Sequence, residues 1–230
     1  NCGQLRIEDD YYTVLAYLDD LKDQAILDIG CGDGNYCRLF KAKGAKKVMG
    51  VDVSPHMIKF AEEIEIANPL GCEYKVVDAE TEQKAVGQFD IAVTAFVLVY
   101  ADTAQRLSKF CNFIYKNLKP GGTSINLIRN CFSTKFWGNS LEKYGRKFTM
   151  LDKTEDGGFG CTVHLPLTDN EEFTVTNYVL RPSTYEKCFL DAGFSTFQFK
   201  PCQTEMNKKS EEYWKEVNEN PHQIVIIATK

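Results

Sequence analysis

The chain has 230 residues, 43% of them hydrophobic and 26% charged, with a formal net charge of −5. That length supports one α/β domain with a substantial core. The interleaved charges leave no basic stripe of the kind nucleic acid requires, and neither a membrane span nor a signal peptide is visible.

Residues 9–21 are predicted helical, with Tyr11, Val14, Leu15, Leu18 and Leu21 on one face. A short apolar strand is expected at 25–29, followed by a glycine-rich turn and a helix from Gly34 to Lys43 that stops at Gly44. The basic cluster Lys41, Lys43, Lys46 and Lys47 reads as a solvated helix end. A second strand, 47–52, ends in a carboxylate, and Ser54-Pro55 then reads as an N-cap with proline at the first helical position. That helix is expected to end before Asn68-Pro69. Strands are expected at 73–77 and 89–94. The stripe Leu107, Phe110, Cys111, Ile114 and Leu118 marks a helix closed by Lys119-Pro-Gly-Gly122, and a fifth strand runs over 123–129. Further on, 183–192 reads as a helix stopped by Gly193, and 194–200 and 223–229 as strands. The alternation implies a parallel sheet covered by helices on both faces. Residues 131–181 break the rhythm, with two strands of alternating polarity at about 161–166 and 172–180. The whole chain, 1–230, is read as a single domain with 131–181 inserted as a substrate cap above the carboxyl ends of the strands, where open α/β sheets bind ligands.

Chemistry concentrates at Ala25-Ile-Leu-Asp-Ile-Gly-Cys-Gly-Asp-Gly-Asn35 and Val48-Met-Gly-Val-Asp-Val-Ser54. Glycines let the backbone turn sharply and approach a ligand closely, and an acid ending the next strand can accept from both ribose hydroxyls. A dinucleotide site needs a third glycine where this chain has Asn35, and Asp28 and Asp33 would repel a pyrophosphate. S-adenosylmethionine, which is cationic and carries no phosphate, suits the loop better than NAD.

In these residues the chain resembles the class I S-adenosylmethionine-dependent methyltransferases, with Val76-Val-Asp-Ala79, Gln88-Phe-Asp-Ile91 and Leu118-Lys-Pro-Gly-Gly122 continuing the series in order. The resemblance implies a Rossmann-like, doubly wound seven-stranded sheet, mostly parallel with an antiparallel C-terminal edge pair, plus a small β-rich cap. It implies cofactor contacts from Asp28, Gly30, Cys31, Gly32, Asp52, Val53, Met57, Asp78, Ala79, Thr94 and Ala95. Met57 is read either as packing on adenine or as a core residue, and Asp78 either as the adenine acceptor or as a turn-forming Asp. The finer details look most like the toxoflavin synthase-like, ubiquinone/menaquinone-related branch of small-molecule enzymes. These are Asn68-Pro-Leu-Gly-Cys-Glu-Tyr74, Phe96-Val-Leu-Val-Tyr-Ala101, Phe173-Thr-Val-Thr-Asn-Tyr178, Thr184-Tyr-Glu186, Trp214 and Asn220-Pro221.

That likeness implies N-methylation of a planar nitrogen heterocycle. Transfer to oxygen or carbon of a phenol or quinone, or a non-catalytic cofactor-binding role, are the alternatives. Acceptor contacts are expected from Phe96, Tyr100, Asn130, His164 and Tyr178, with Tyr100 and His164 as positioning candidates and a structural cap role as the other reading of His164. Val99 stands where many relatives carry His or Asn, so no dedicated base is expected. Arg129 reads as solvent-facing, its other reading being a contact to an acidic substrate. Nine cysteines without a C-x-x-C pair suggest a reduced, cytoplasmic protein, and the scattered His56, His164 and His222 suggest no metal. A small-molecule acceptor, no nucleic acid or membrane partner, and a monomer or weak homodimer are expected. Relatives place an aromatic segment ahead of the first helix; this chain starts at Asn1 without an initiator Met, which suggests a missing natural start.

Overall fold

A computed structural model describes residues 10–133, 135, 137, 138, 141–144, 147–166, 172–203 and 210–230. Residues 1–9, ahead of the first helix, lie outside the described residues.

Strands β1 (Ala25–Ile29), β2 (Lys47–Asp52), β3 (Cys72–Val76), β4 (Phe89–Ala95) and β5 (Leu118–Arg129) alternate with helices α1 (Asn35–Ala42), α2 (Pro55–Ala67) and α3 (Ala104–Asn117). The 131–181 insertion, proposed as a cap, supplies β6 (Lys147–Lys153), β7 (Phe159–Pro166) and β8 (Glu172–Val179). Then come α4 (Pro182–Ala192), β9 (Thr196–Pro201), α5 (Glu211–Glu219) and β10 (Gln223–Thr229). The main sheet has seven strands in the order β3-β2-β1-β4-β5-β10-β9. The first five are parallel, and β10 runs antiparallel to both β5 and β9. A separate antiparallel sheet has the order β6-β7-β8.

Alternation along β1 builds two cores at once. Leu27 and Ile29 pack with Leu107, Phe110 and Phe189 of α3 and α4. Ile26 packs on the other face with Cys37 and Phe40 of α1 and with Val14. A third cluster sits under the cap sheet, where Phe148, Cys161, Val163 and Leu165 meet Trp137, Tyr144 and Trp214. The capping signals act as written in the sequence. Ser54 Oγ accepts from Met57 N–H, Thr103 Oγ1 accepts from Arg106 N–H, and Gly193 closes α4 at φ 108°.

Four expectations change. The N-terminal helix stops at residue 16, because Tyr17 and Leu18 close onto Val14 and Leu15 as tight turns, and Lys22 then bridges Ala45. Strand β5 begins at Leu118, not 123: Leu118 already pairs with Phe89, and a register shift absorbs the proline and glycines. Strand β6 has no two-residue alternation to announce it, since Phe148 alone is buried. Helix α5 is short and charged, and its packing face is only Tyr213, Trp214 and Val217.

Candidate cofactor and acceptor site

The pairs Ile29↔Val51, Asp52↔Val76 and Ile29↔Thr94 bring the carboxyl ends of β1 to β4 to one level. The segments that follow those strands therefore share one edge, the ligand edge of an open α/β sheet. Gly30 and Cys31 both donate their N–H groups to Val51 O, at 2.7 and 3.0 Å, which folds the loop back over β2. Gly30, Gly32 and Gly34 all have left-handed backbones, with φ 70°, 55° and 81°. A Cβ on Gly30 would lie 2.3 Å from Val97 Cγ2, and one on Gly34 would lie 2.4 Å from the Tyr74 hydroxyl. At Gly32, among the described residues, a Cβ would touch only Met57 Cε, at 3.5 Å. Gly30 and Gly34 thus serve packing, while Gly32 leaves a cradle that a side chain would fill.

Asp52 frames that cradle. Its Oδ2 accepts from Gly32 N–H at 2.9 Å and its Oδ1 from Ser54 N–H at 2.9 Å. Each oxygen keeps further lone-pair capacity for a ribose diol. Asp33 sits at the start of α1, with Oδ1 on Asn35 N–H at 3.3 Å and Oδ2 on Asn35 Nδ2 at 2.7 Å. Its carboxylate takes the helix-end position that a dinucleotide's pyrophosphate would need. The donor and charge set fits a cationic adenosyl cofactor and disfavours NAD.

Asp28 lies beneath the loop, buried at 1% exposure, and its Oδ2 accepts from the Cys37 thiol at 3.2 Å. Burial pushes its carboxyl up to about 7; the Cys37 hydrogen bond opposes the rise, and Asp52 and Asp33 add to it. The folded protein therefore holds this proton more tightly than the unfolded chain. Stability from this group is fully present below about pH 4 and falls as pH rises toward about 7. Asp28→Asn should flatten that fall. Thermal melts without ligand should show the variant more stable than wild type at pH 8 by a few kcal/mol, about 1.4 for each pKa unit, with the gap closing toward pH 4. Parallel melting curves across that range would contradict the assignment.

The remaining cofactor candidates line the same edge. Met57 is half-buried with its methyl against Gly32, and Val53 is largely exposed beside it. Asp78 holds a turn, with Oδ1 on Glu80 N–H at 2.9 Å and Oδ2 on Thr81 Oγ1 at 2.8 Å, and Ala79 is buried next to it. Glu80 pins this turn to α3 through Arg106, whose Nη2 lies 2.8 Å from Oε2. Thr94 is fully buried and donates to Asn126 Oδ1 at 3.0 Å, tying β4 to β5, and Ala95 follows it at the sheet edge.

The acceptor side begins at Phe96, which has a left-handed backbone at φ 59°. Such a conformation costs a non-glycine residue about 1–3 kcal/mol and clusters at ligand clamps. Val99 is fully buried, and Tyr100 is exposed at the rim. Asn130 Nδ2 donates to Pro221 O and its Oδ1 accepts from Phe132 N–H, so its amide braces the protein. His164 and Tyr178 alternate with buried Cys161, Val163 and Asn177, which puts them on the outward face of the cap sheet. There His164 meets Thr149 Oγ1 at 2.8 Å and Glu172 Oε1 at 2.9 Å. The structure does not bring His164 and Tyr178 to the inner face with Phe96.

The inner face carries different residues. Arg129 is 5% exposed, which corrects the solvent-facing reading. Its Nε donates to Asn177 Oδ1 at 3.0 Å, and its guanidinium lies 4.4 Å from the centre of the Phe96 ring and 5.1 Å from that of Phe148. His222 is also buried, with its ring 6.1 Å from Phe148. Asn177 had a readable signal, as a polar residue on the same strand phase as Val175 and Val179. His222 and Arg129 had none, because their surroundings come from segments far apart in the chain. Burial pushes Cys72 and Cys161 up to about 11, leaving them poor nucleophiles.

Residues 26–122 match the family model described as "Methyltransferase domain". The matched segment is less than half of the chain. The match covers the cofactor half, β1 into β5, and stops short of Arg129 and the cap. A solved S-adenosylmethionine-dependent methyltransferase from Mesorhizobium loti is 18% identical, covers 98% of this chain and 100% of its own, and superimposes with a TM-score of 0.70. The chain thus shares the fold of that S-adenosylmethionine-dependent methyltransferase. Phosphoethanolamine N-methyltransferase 1 of Triticum aestivum is 35% identical over 104 residues, 45% of this chain and 20% of that protein. Ubiquinone biosynthesis O-methyltransferase of Coxiella burnetii is 33% identical over 102 residues, 44% of this chain and 42% of that protein. The chain spans about half or less of the curated relatives it matches. No described helix is long and apolar enough to cross a membrane.

Proposed function

We propose that this protein is an S-adenosylmethionine-dependent methyltransferase acting on a small, flat acceptor, and that the acceptor lies between the β4 loop and the inner face of the 131–181 cap. The observation that carries the reading is the cradle at Gly32, framed by Asp52 with Asp33 in the pyrophosphate position. When bound, the cofactor supplies a methyl group on a sulfonium, ready for in-line displacement. The chain's own contribution is positional. Asp52 and the Asp78 turn orient the adenosyl part, the half-buried Phe96 ring flanks a planar acceptor, and the cap excludes water. Titration calorimetry should show saturable binding of S-adenosylmethionine and S-adenosylhomocysteine and none of NAD. Binding of NAD, or of none of the three, would overturn the reading.

For the acceptor atom we favour a ring nitrogen. Buried Val99 offers no proton acceptor beside the β4 loop, and an unprotonated ring nitrogen needs none. One observation favours a second reading: His222 is buried on the acceptor side, where an imidazole could deprotonate a hydroxyl for O-methylation. The curated relatives do not decide between these, since they include both N- and O-methyltransferases. His222→Gln separates the two. For a nitrogen acceptor, turnover should fall less than about tenfold with an unchanged pH profile. For an oxygen acceptor, it should fall by about 100-fold or more and lose its acidic limb. The position of the new methyl in the product gives an independent answer.

A further inference from the structure

We propose that Cys31 and Cys37 form a reversible disulfide that shuts the cofactor cradle in response to a peroxide. This is a regulation of the site described above and rests on the methyltransferase reading. Cys31 stands between Gly30 and Gly32 in the cradle, and Cys37 lies in the first turn of α1. A Cβ on Gly50 would stand 2.7 Å from Cys37 Sγ and 2.8 Å from Cys31 Sγ, so both sulfurs converge on one point beside β2. The two thiols lie within hydrogen-bonding reach of each other. Cys37 also donates to Asp28 Oδ2 at 3.2 Å. Two sulfurs and a buried carboxyl are thus gathered directly beneath the loop that would hold the cofactor.

Two steps form the bridge. Cys31 sulfur gives up its proton and attacks one oxygen of hydrogen peroxide. The O–O bond breaks, and the leaving hydroxide takes up that proton as water. Cys31 is then a sulfenic acid, its sulfur oxidised and the peroxide reduced. Cys37 sulfur next displaces hydroxide from Cys31 sulfur. The S–S bond forms, the S–O bond breaks, and the Cys37 proton passes through Asp28 to the departing water. Two thiols and one peroxide give one disulfide and two waters. Cys31 reacts first because it keeps 6% exposure and Cys37 none. Burial holds Cys37 as a thiol, and Asp28, pushed up to about 7 by burial, is suited to relay its proton near neutral pH. An S–S bond of about 2.0 Å draws the two sulfurs together across Gly32, Asp33 and Gly34. It also takes the S–H donor away from buried Asp28, which leaves that carboxyl without its thiol partner. Both changes distort the cradle, so cofactor affinity falls.

The test uses the full chain, first reduced and then treated with hydrogen peroxide. Remaining thiols are alkylated, and the chain is cut after Lys22 and Arg38, which releases both cysteines in the single peptide 23–38. Mass spectrometry should find that peptide unalkylated and lighter by two hydrogens, and dithiothreitol should restore it. Calorimetry with S-adenosylhomocysteine follows on reduced, oxidised and re-reduced protein. Affinity should fall about tenfold or more on oxidation and return on reduction. Cys37→Ser keeps a donor for Asp28 and should lose the response to peroxide. Failure of the reduced wild type to bind would sink the methyltransferase reading and the switch with it, while the peptide mass decides the bridge separately. Absence of the bridged peptide, unchanged affinity in the bridged protein, or a Cys37→Ser protein that responds as wild type does would each overturn the proposal. The wild-type comparison stands even if the variant fails to fold.

Discussion

Asp52→Ala should cost about a hundredfold or more in affinity for S-adenosylmethionine, with little change in melting temperature. A carboxylate accepting from two ribose hydroxyls makes two charge-assisted bonds, each worth about 1.5–3 kcal/mol. About 1.4 kcal/mol is tenfold in affinity. The same carboxylate also holds Gly32 N–H and Ser54 N–H, so its removal loosens the cradle as well as the ligand. Asp52→Asn should fall between the two, because an amide keeps one acceptor oxygen and loses the charge. Calorimetry on folded variants checks this. An Asp52→Ala protein with wild-type affinity would remove the cofactor assignment.

Gly30→Ala should be the most damaging methyl added to the Gly30–Gly34 loop. The added Cβ would stand 2.3 Å from Val97 Cγ2, on a backbone at φ 70° that alanine adopts at a cost of about 1–2 kcal/mol. Val97 follows Phe96 directly, so relieving the clash would displace the β4 loop and the acceptor's ring surface together. Both melting temperature and cofactor affinity should drop. Gly32→Ala is the informative contrast. Among the described residues only Met57 Cε is near the new methyl, so folding should suffer less while the cradle fills and binding is lost. If both variants lost stability equally and bound the cofactor equally, the division of labour among the glycines would be wrong.

The cofactor half of this protein is readable from the chain because its signals are local. The Gly30-to-Gly34 turn, the acid ending β2 and the Ser54-Pro55 cap each declare themselves within a few residues, and the strand-helix alternation then dictates a parallel sheet. The proposed acceptor half is less readable because it is assembled from distant segments. Arg129 meets Asn177 across the cap, and His222 reaches Phe148 from the start of the last strand. Position in the insertion and, for Tyr178, an aromatic ring therefore pointed to His164 and Tyr178 on β7 and β8. One residue of strand phase separates Tyr178 from Asn177, and that single step decides which side chain faces the sheet. Strand β6 and helix α5 escaped for a related reason: their few buried residues make sense only against Trp137, Tyr144 and Trp214, which other segments bring into place.

The most direct test of the whole account is transfer of a labelled methyl group. The protein is incubated with methyl-labelled S-adenosylmethionine and a cell extract, which is then separated into small molecules, protein and nucleic acid. The account predicts label in a small molecule, dependent on the enzyme and abolished in Asp52→Ala. Label confined to protein or nucleic acid, or no enzyme-dependent label in any fraction, would contradict it.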